Sequence, residues 1–266
     1  MPVSEFFVNS EGDYTAVFPQ PYFDASFFTD KEDEAPLNVN MPFYIENAPE
    51  FLDEPGEWYF NKENRELFYY PLSAEDMNEA DCTVPVVETL LTINGESGSK
   101  KATNIAFSGI TFCYGAWQSP SEKGFAPIQA EQISAPDDPE AVSISGMYPS
   151  KLMPAQLQVN YADGVSFTDN AFEHLGSQAV SLNNMTTNSR INGNLFDDIS
   201  ASAVTVGDWT LKTDSLMTEF CRNNEIYGNL IRRAAVEYMT PIITAYYVNN
   251  VKISHNDIKD APYTGI

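Results

Sequence analysis

From Val165 onward, apolar and polar positions recur in one pattern, four times over. An apolar residue stands three places before an asparagine and another stands two after it. The sets are Phe167/Asn170/Phe172, Ile191/Asn194/Phe196, Ile226/Asn229/Ile231 and Ile253/Asn256/Ile258. Five places after each asparagine comes Leu175, Ile199, Ala234 or Ala261, followed by a small–branched pair: Ala179-Val180, Ala203-Val204 or Gly265-Ile266. In the third copy the matching triplet, Pro241-Ile242-Ile243, arrives about three residues late. Alternation at a spacing of two predicts strands rather than helices. The asparagines lie 24, 35 and 27 residues apart, and self-similarity in this range marks a stacked repeat. Short strands and turns filling ~24 residues make one coil of a parallel β-solenoid, with coils ~4.8 Å apart. The 11 extra residues between the second and third copies, 209–219, are then a loop pushed out of one coil. Each asparagine is expected to take the left-handed conformation of a sharp corner and to stack its amide in a ladder.

Upstream the signal changes. Residues 104–112 form a first coil without the asparagine: Phe107, Ile110 and Phe112 keep the register, with Ile110 in the asparagine's place. Residues 57–60 and 67–70 are aromatic-rich runs joined by a polar turn and bracketed by Pro55-Gly56 and Pro71, which predicts an antiparallel hairpin. Trp58 and the hairpin aromatics are expected in a core. The run 83–93 predicts a strand leading into the solenoid. The fold class expected is therefore all-β: a right-handed parallel β-helix preceded by a smaller antiparallel β region. Residues 1–93 make a β-rich N-terminal region, an insertion or accessory subdomain. Residues 94–266 make the coils, with a long loop inserted at 113–158, and insertions of that kind gather on a binding face.

Charge narrows the partners. The chain carries 14 Lys and Arg against 38 Asp and Glu, a net charge of −24, which repels phosphate backbones and anionic membranes and argues against nucleic-acid or membrane partners. Three widely spaced cysteines, Cys82, Cys113 and Cys221, exclude a disulfide framework and a Cys-rich zinc site. No apolar run reaches the length of a membrane span. The first residues lack the basic and apolar regions of a signal peptide.

Candidate chemistry follows from the repeat. Four places after each asparagine stand His174, Asp198, Arg233 and Asp260, which should project as a row from one edge of the solenoid. A row of His, carboxylate, Arg and carboxylate suits a glycosidic site, and Asp198 with Asp260, two coils apart, falls near the separation for inversion. Asp198 also has Asp208 and Glu237 as possible partners from neighbouring turns, and Glu237 sits in the irregular third copy, where a repeat broken locally points to function. Arg233 beside Asp198 is expected to hold a carboxylate ionised or grip a uronic acid. Trp117 and Trp209 open inserted loops and can stack on sugar rings. The competing reading of the row is a surface salt-bridge ladder. His255, directly before Asn256, reads as a corner residue. The candidate catalytic set is thus Asp198, Glu237, Asp208 and His174, and the candidate substrate-binding set is Arg233, Asp260, Trp117 and Trp209. No metal site and no cofactor are expected, although acidic pairs such as Asp137-Asp138 could take calcium. A lyase would want calcium with a Lys or Arg base, for which Arg232-Arg233 is the candidate pair, and ranks below hydrolysis.

The segments APEFLDEPGEWYF and LFYYPL, followed by NIAFSGITFCYGAW, HLG, NLFDDIS, VEY and ISHNDIKDAPYTGI, resemble bacterial parallel β-helix proteins of pectate-lyase-like fold. Within these the chain looks most like the group containing glycoside hydrolase family 141, over roughly 41–266. The resemblance implies action on plant or microbial cell-wall polysaccharide, with a polysaccharide or oligosaccharide as partner. It implies an extracellular or cell-surface location for the full-length protein, and further coils of its own chain beyond Ile266. MTPIITAYY after VEY departs from the Gly-rich sequence of the family, at the position of Glu237. Non-catalytic glycan binding is the alternative.

Overall fold

The computed structural model describes residues 3–19, 45–117, 127–128, 132–134, 150–208 and 217–266. Three parallel five-stranded sheets carry the repeat. Sheet I contains Leu91–Asn94, Ala155–Asn160, Gln178–Asn183, Val204–Gly207 and Ile243–Tyr246. Sheet II contains Ala106–Ser108, Ser166–Thr168, Arg190–Asn192, Glu225–Tyr227 and Lys252–Ser254. Sheet III contains Thr111–Gly115, Ala171–Leu175, Leu195–Ile199, Leu230–Ala234 and Asp257–Lys259. Each coil visits I, then II, then III, so the chain winds as a parallel β-helix. Short two-residue strands between I and II add a further pairing.

The register is the one the sequence predicts. Phe107, Phe167, Ile191, Ile226 and Ile253 stack in sheet II, and Phe112, Phe172, Phe196, Ile231 and Ile258 stack in sheet III. Phe172 lies 4.6 Å centroid to centroid from Phe196 with planes 11° apart, and Phe107 lies 5.1 Å from Phe167 at 9°. Such pairs add about 0.5–1.5 kcal/mol each beyond the area they bury.

The asparagines form a buried ladder. Each Oδ1 accepts from both the backbone N–H and the Nδ2 of the asparagine one coil before: Asn194 from Asn170, Asn229 from Asn194, Asn256 from Asn229. Ile110 donates its N–H to Asn170, so the first coil joins the ladder without an amide of its own. The left-handed residue at that corner is the one before the asparagine: Gly109, Asp169, Gly193, Gly228 and His255 all have φ between 55° and 69°. The ladder asparagines themselves are not left-handed. Their amides tie the corner; their neighbours turn it.

Three boundaries differ from expectation. The first coil begins at Leu91, and Ala155–Asn160, placed partly in the inserted loop, is the second strand of sheet I, because its alternate residues Leu157 and Val159 are fully buried. Within the insertion, Pro127–Ile128, Gln132–Ser134 and Ser150–Leu152 pair as a small antiparallel sheet. The third copy is late by four residues, since Val204 follows Asn194 by ten and its partner Ile243 follows Asn229 by fourteen.

Residues Leu37–Val84 form a separate compact unit. It holds the expected hairpin, Trp58–Asn61 against Glu66–Tyr69, with the Asn61 side chain accepting from the Glu63 and Asn64 N–H groups in the turn. Trp58 is not in a core: it is 62% exposed, on one face of a two-stranded layer. An antiparallel pair, Glu5–Val8 with Tyr14–Val17, precedes it in the chain. All three cysteines are free, and burial pushes the Cys221 thiol up to about 11. Among the described residues no helix is long and apolar enough to cross a membrane.

Candidate active site

Sheet III carries a second left-handed position in every coil. Tyr114, His174, Asp198, Arg233 and Asp260 have φ of 59°, 53°, 59°, 48° and 55°. The left-handed residue kinks the strand just before it turns towards sheet I. It also lets two consecutive side chains face outward: Glu173 with His174, Asp197 with Asp198, Arg232 with Arg233. The predicted row therefore exists, and it has a fifth member that sequence reasoning missed. Tyr114 stands four places after Ile110, the residue already placed in the asparagine register, so the signal was present.

The row is wired from coil to coil. The Tyr114 and His174 rings stack at 5.4 Å and 10°. His174 Nδ1 lies 2.7 Å from Asp198 Oδ2, with both side chains about half exposed. Arg233 does not serve Asp198. Its Nη2 lies 2.7 Å from Asp197 Oδ1, an ion pair off the angle of a hydrogen bond, while Arg232 donates to Asp197 Oδ2 from Nη2 at 2.7 Å and Nε at 3.0 Å. Asp197 is 8% exposed and gathers both guanidinium groups because Arg232 is its cross-strand partner and Arg233 is the next residue along that strand. Its hydrogen bond and charge raise the Arg232 pKa above the usual value. Asp260 ends the row, exposed, two coils beyond Asp198, with Arg233 between them.

Glu237 comes to the same corner as Asp198. The four extra residues of its coil bulge there, and the Glu237 and Tyr238 N–H groups both donate to Ser200 O, two residues past Asp198. Glu237 is exposed. Trp117 reaches this corner from the first coil and meets the Tyr238 ring edge-on at 5.1 Å, over Met153 and Ala201. Gly176 makes that approach possible, since a Cβ there would sit 3.0 Å from Gly115 O and 3.1 Å from Trp117 N. Asp208 is not brought to the site. It follows Gly207 at the far end of sheet I, roughly 13 Å of strand from the corner that Asp198 occupies. Spacing along the chain hid the intervening sheet. Trp209 and Asp137-Asp138 lie outside the described residues. Among the described residues no group of three His, Cys, Asp or Glu converges to hold a metal ion.

Two comparisons bear on this arrangement. Residues 17–72 match the family model of the GH141 insertion domain. A solved structure described as a glycoside hydrolase superposes with a TM-score of 0.69 and 29% identity over 82% of this chain. The chain is GH141-like over residues 17–72. It spans 39% of that solved chain. No curated protein matches it. The hairpin, 58–69, falls inside the matched insertion domain, whereas the wired corner lies on the β-helix outside that match.

Proposed function

We propose that the chain is the part of a glycoside hydrolase that bears its carboxylates, and that the reaction occurs at the sheet III–sheet I corner. The observation that carries this reading is the left-handed row itself, which holds Tyr, His and Arg beside two Asp and no Gly in any coil, where a backbone corner alone would favour Gly, Asn or Asp. Asp198 and Glu237 are the carboxylate pair. Two-carboxylate hydrolysis needs one group to protonate the leaving oxygen and the other to attack the anomeric carbon or activate water, at ~5–9.5 Å separation. The Asp198 and Glu237 backbones meet at one corner of consecutive coils, so both groups can flank one bond. His174 orients Asp198 through its 2.7 Å contact. The Trp117–Tyr238 cluster offers an aromatic edge to a sugar ring. Lyase chemistry is disfavoured because Arg232 and Arg233 are both paired with Asp197, and the Asp197 hydrogen bond and charge raise the Arg232 pKa, so neither is free to act as a base.

The substrate proposed is a cell-wall polysaccharide or oligosaccharide, met outside the cell. The test is turnover on a polysaccharide panel by the protein with its flanking sequence, as wild type, Asp198→Asn and Glu237→Gln. Each amide should lower kcat by ~10²–10⁴ while leaving ligand binding within a few-fold. Binding without turnover in the wild type would support a glycan-binding surface instead.

A further inference from the structure

At the other end of sheet I, where it hands over to sheet II, lies an open pocket of ≈ 560 Å³, lined in part by Lys100, Lys101, Arg222, Asp163 and Asn188. In a chain of net charge −24, three of its 14 bases face this one space, with one carboxylate among the lining residues. Hydrogen bonds from Thr187 and Asn188, then the Lys101 and Arg222 charges, hold the Asp163 pKa below its usual value, so one carboxylate serves both cations. Asp163 Oδ1 accepts from Thr187 Oγ1 at 2.6 Å and Asn188 Nδ2 at 2.5 Å. Lys100 is tied to Glu96 at 2.9 Å. Lys101 Nζ donates to Met185 O and, at 2.9 Å, to Thr187 Oγ1, which uses two of its three protons. Arg222, among the described residues, makes no side-chain hydrogen bond and no ion pair. Burial lowers the Lys101 pKa from its usual value, and the nearby Arg222 charge lowers it further against the opposing pull of Asp163. Lys101 and Arg222 thus share the single carboxylate of this open pocket, and the Arg222 guanidinium has no hydrogen-bonded partner there among the described residues.

We propose that this pocket binds an oxyanion, a carboxylate or sulfate ester carried on a sugar. The Arg222 fork grips the two oxygens and the third proton of Lys101 completes the contact. The volume suits one or two sugar rings. That the anion sits on a sugar rests on the glycoside hydrolase reading; that the pocket takes an anion does not. The pocket stands about 20 Å from the Asp198 corner, across the six-residue strand Ala155–Asn160.

The test is a calorimetric or NMR titration of the protein with its flanking sequence, using glucuronate, glucose 6-sulfate, inorganic sulfate and glucose at low salt. Glucuronate or glucose 6-sulfate should bind at least tenfold more tightly than glucose and weaken with added salt. Arg222→Gln should lose that binding tenfold or more with an unchanged melting temperature, while Asp198→Asn should bind as wild type does. Inorganic sulfate binding as tightly as glucose 6-sulfate would overturn the sugar part. Equal affinity for glucose, or unaltered binding by Arg222→Gln, would overturn the whole. Loss of binding in Asp198→Asn would move the anion to the other corner, also overturning it, and none of these outcomes depends on turnover.

Discussion

Among the rows of left-handed residues that run along the β-helix, the two that flank sheet III are filled differently. The row before the ladder asparagines reads Gly109, Asp169, Gly193, Gly228, His255; the sheet III row reads Tyr114, His174, Asp198, Arg233, Asp260. The backbone makes the same demand in both. The first row meets it mostly with glycine, which has no Cβ to clash. The second contains no glycine in any coil, and a left-handed residue with a side chain is disfavoured by about 1–2 kcal/mol. At His174 and Asp198 stability does not offset that strain. The His174–Asp198 pair is half exposed, and pairs of that kind contribute about 1 kcal/mol or less. Strained residues whose side chains return little stability are the ones to suspect of function. The Arg190–Glu225–Lys252 ladder on sheet II is the contrast: charges at the same spacing, on ordinary extended backbone, which salt bridging explains fully.

The comparison can be broken in three places. The largest effect belongs to the ladder. Asn194→Ala strands the Asn170 donors and the Phe167 carbonyl in the interior at ~1–3 kcal/mol each, so urea denaturation should show a loss of about 4 kcal/mol. A loss under ~1 kcal/mol would remove the ladder as the spine of the coils. Next is the glycine row. Gly193→Ala should cost about 1–2 kcal/mol, because φ is 66° and the new Cβ would meet Asp169 Oδ1 at 3.1 Å. The smallest effect belongs to the functional row. Asp260→Gly, exposed at the same kind of corner, should leave stability unchanged or raise it by up to ~1 kcal/mol. A clear loss in its melting temperature would make the row structural and level the difference between the two.

Much of the fold was legible because it is periodic. The Phe/Asn/Phe and Ile/Asn/Ile triplets gave the coil, the register and the amide ladder, and Ile110 marked a coil that lacks the asparagine. The parts that stayed hidden depend on direction rather than spacing. Counting four places from each asparagine located His174, Asp198 and Arg233 on one row, but it could not say that Arg233 leans back to Asp197. Asp208 lies ten residues after Asp198, close in sequence and a whole strand away in space. Trp58 sits in an aromatic run that reads as core, yet a two-stranded layer leaves one face uncovered. The left-handed residue proved to be the neighbour of each asparagine, since the amide must point inward to reach the next coil. The Lys101–Arg222 pocket gathers residues 121 positions apart, from segments with no shared motif.

Replacing Asp198 with glycine tests the central claim most directly, because glycine accepts the left-handed backbone while deleting only the carboxylate. Turnover and urea stability would be measured on one preparation of the protein with its flanking sequence. The account predicts kcat lower by ~10²–10⁴ with stability equal to or slightly above wild type. Unchanged turnover together with a stability loss above ~2 kcal/mol would contradict it, and would make the row a structural element of the solenoid.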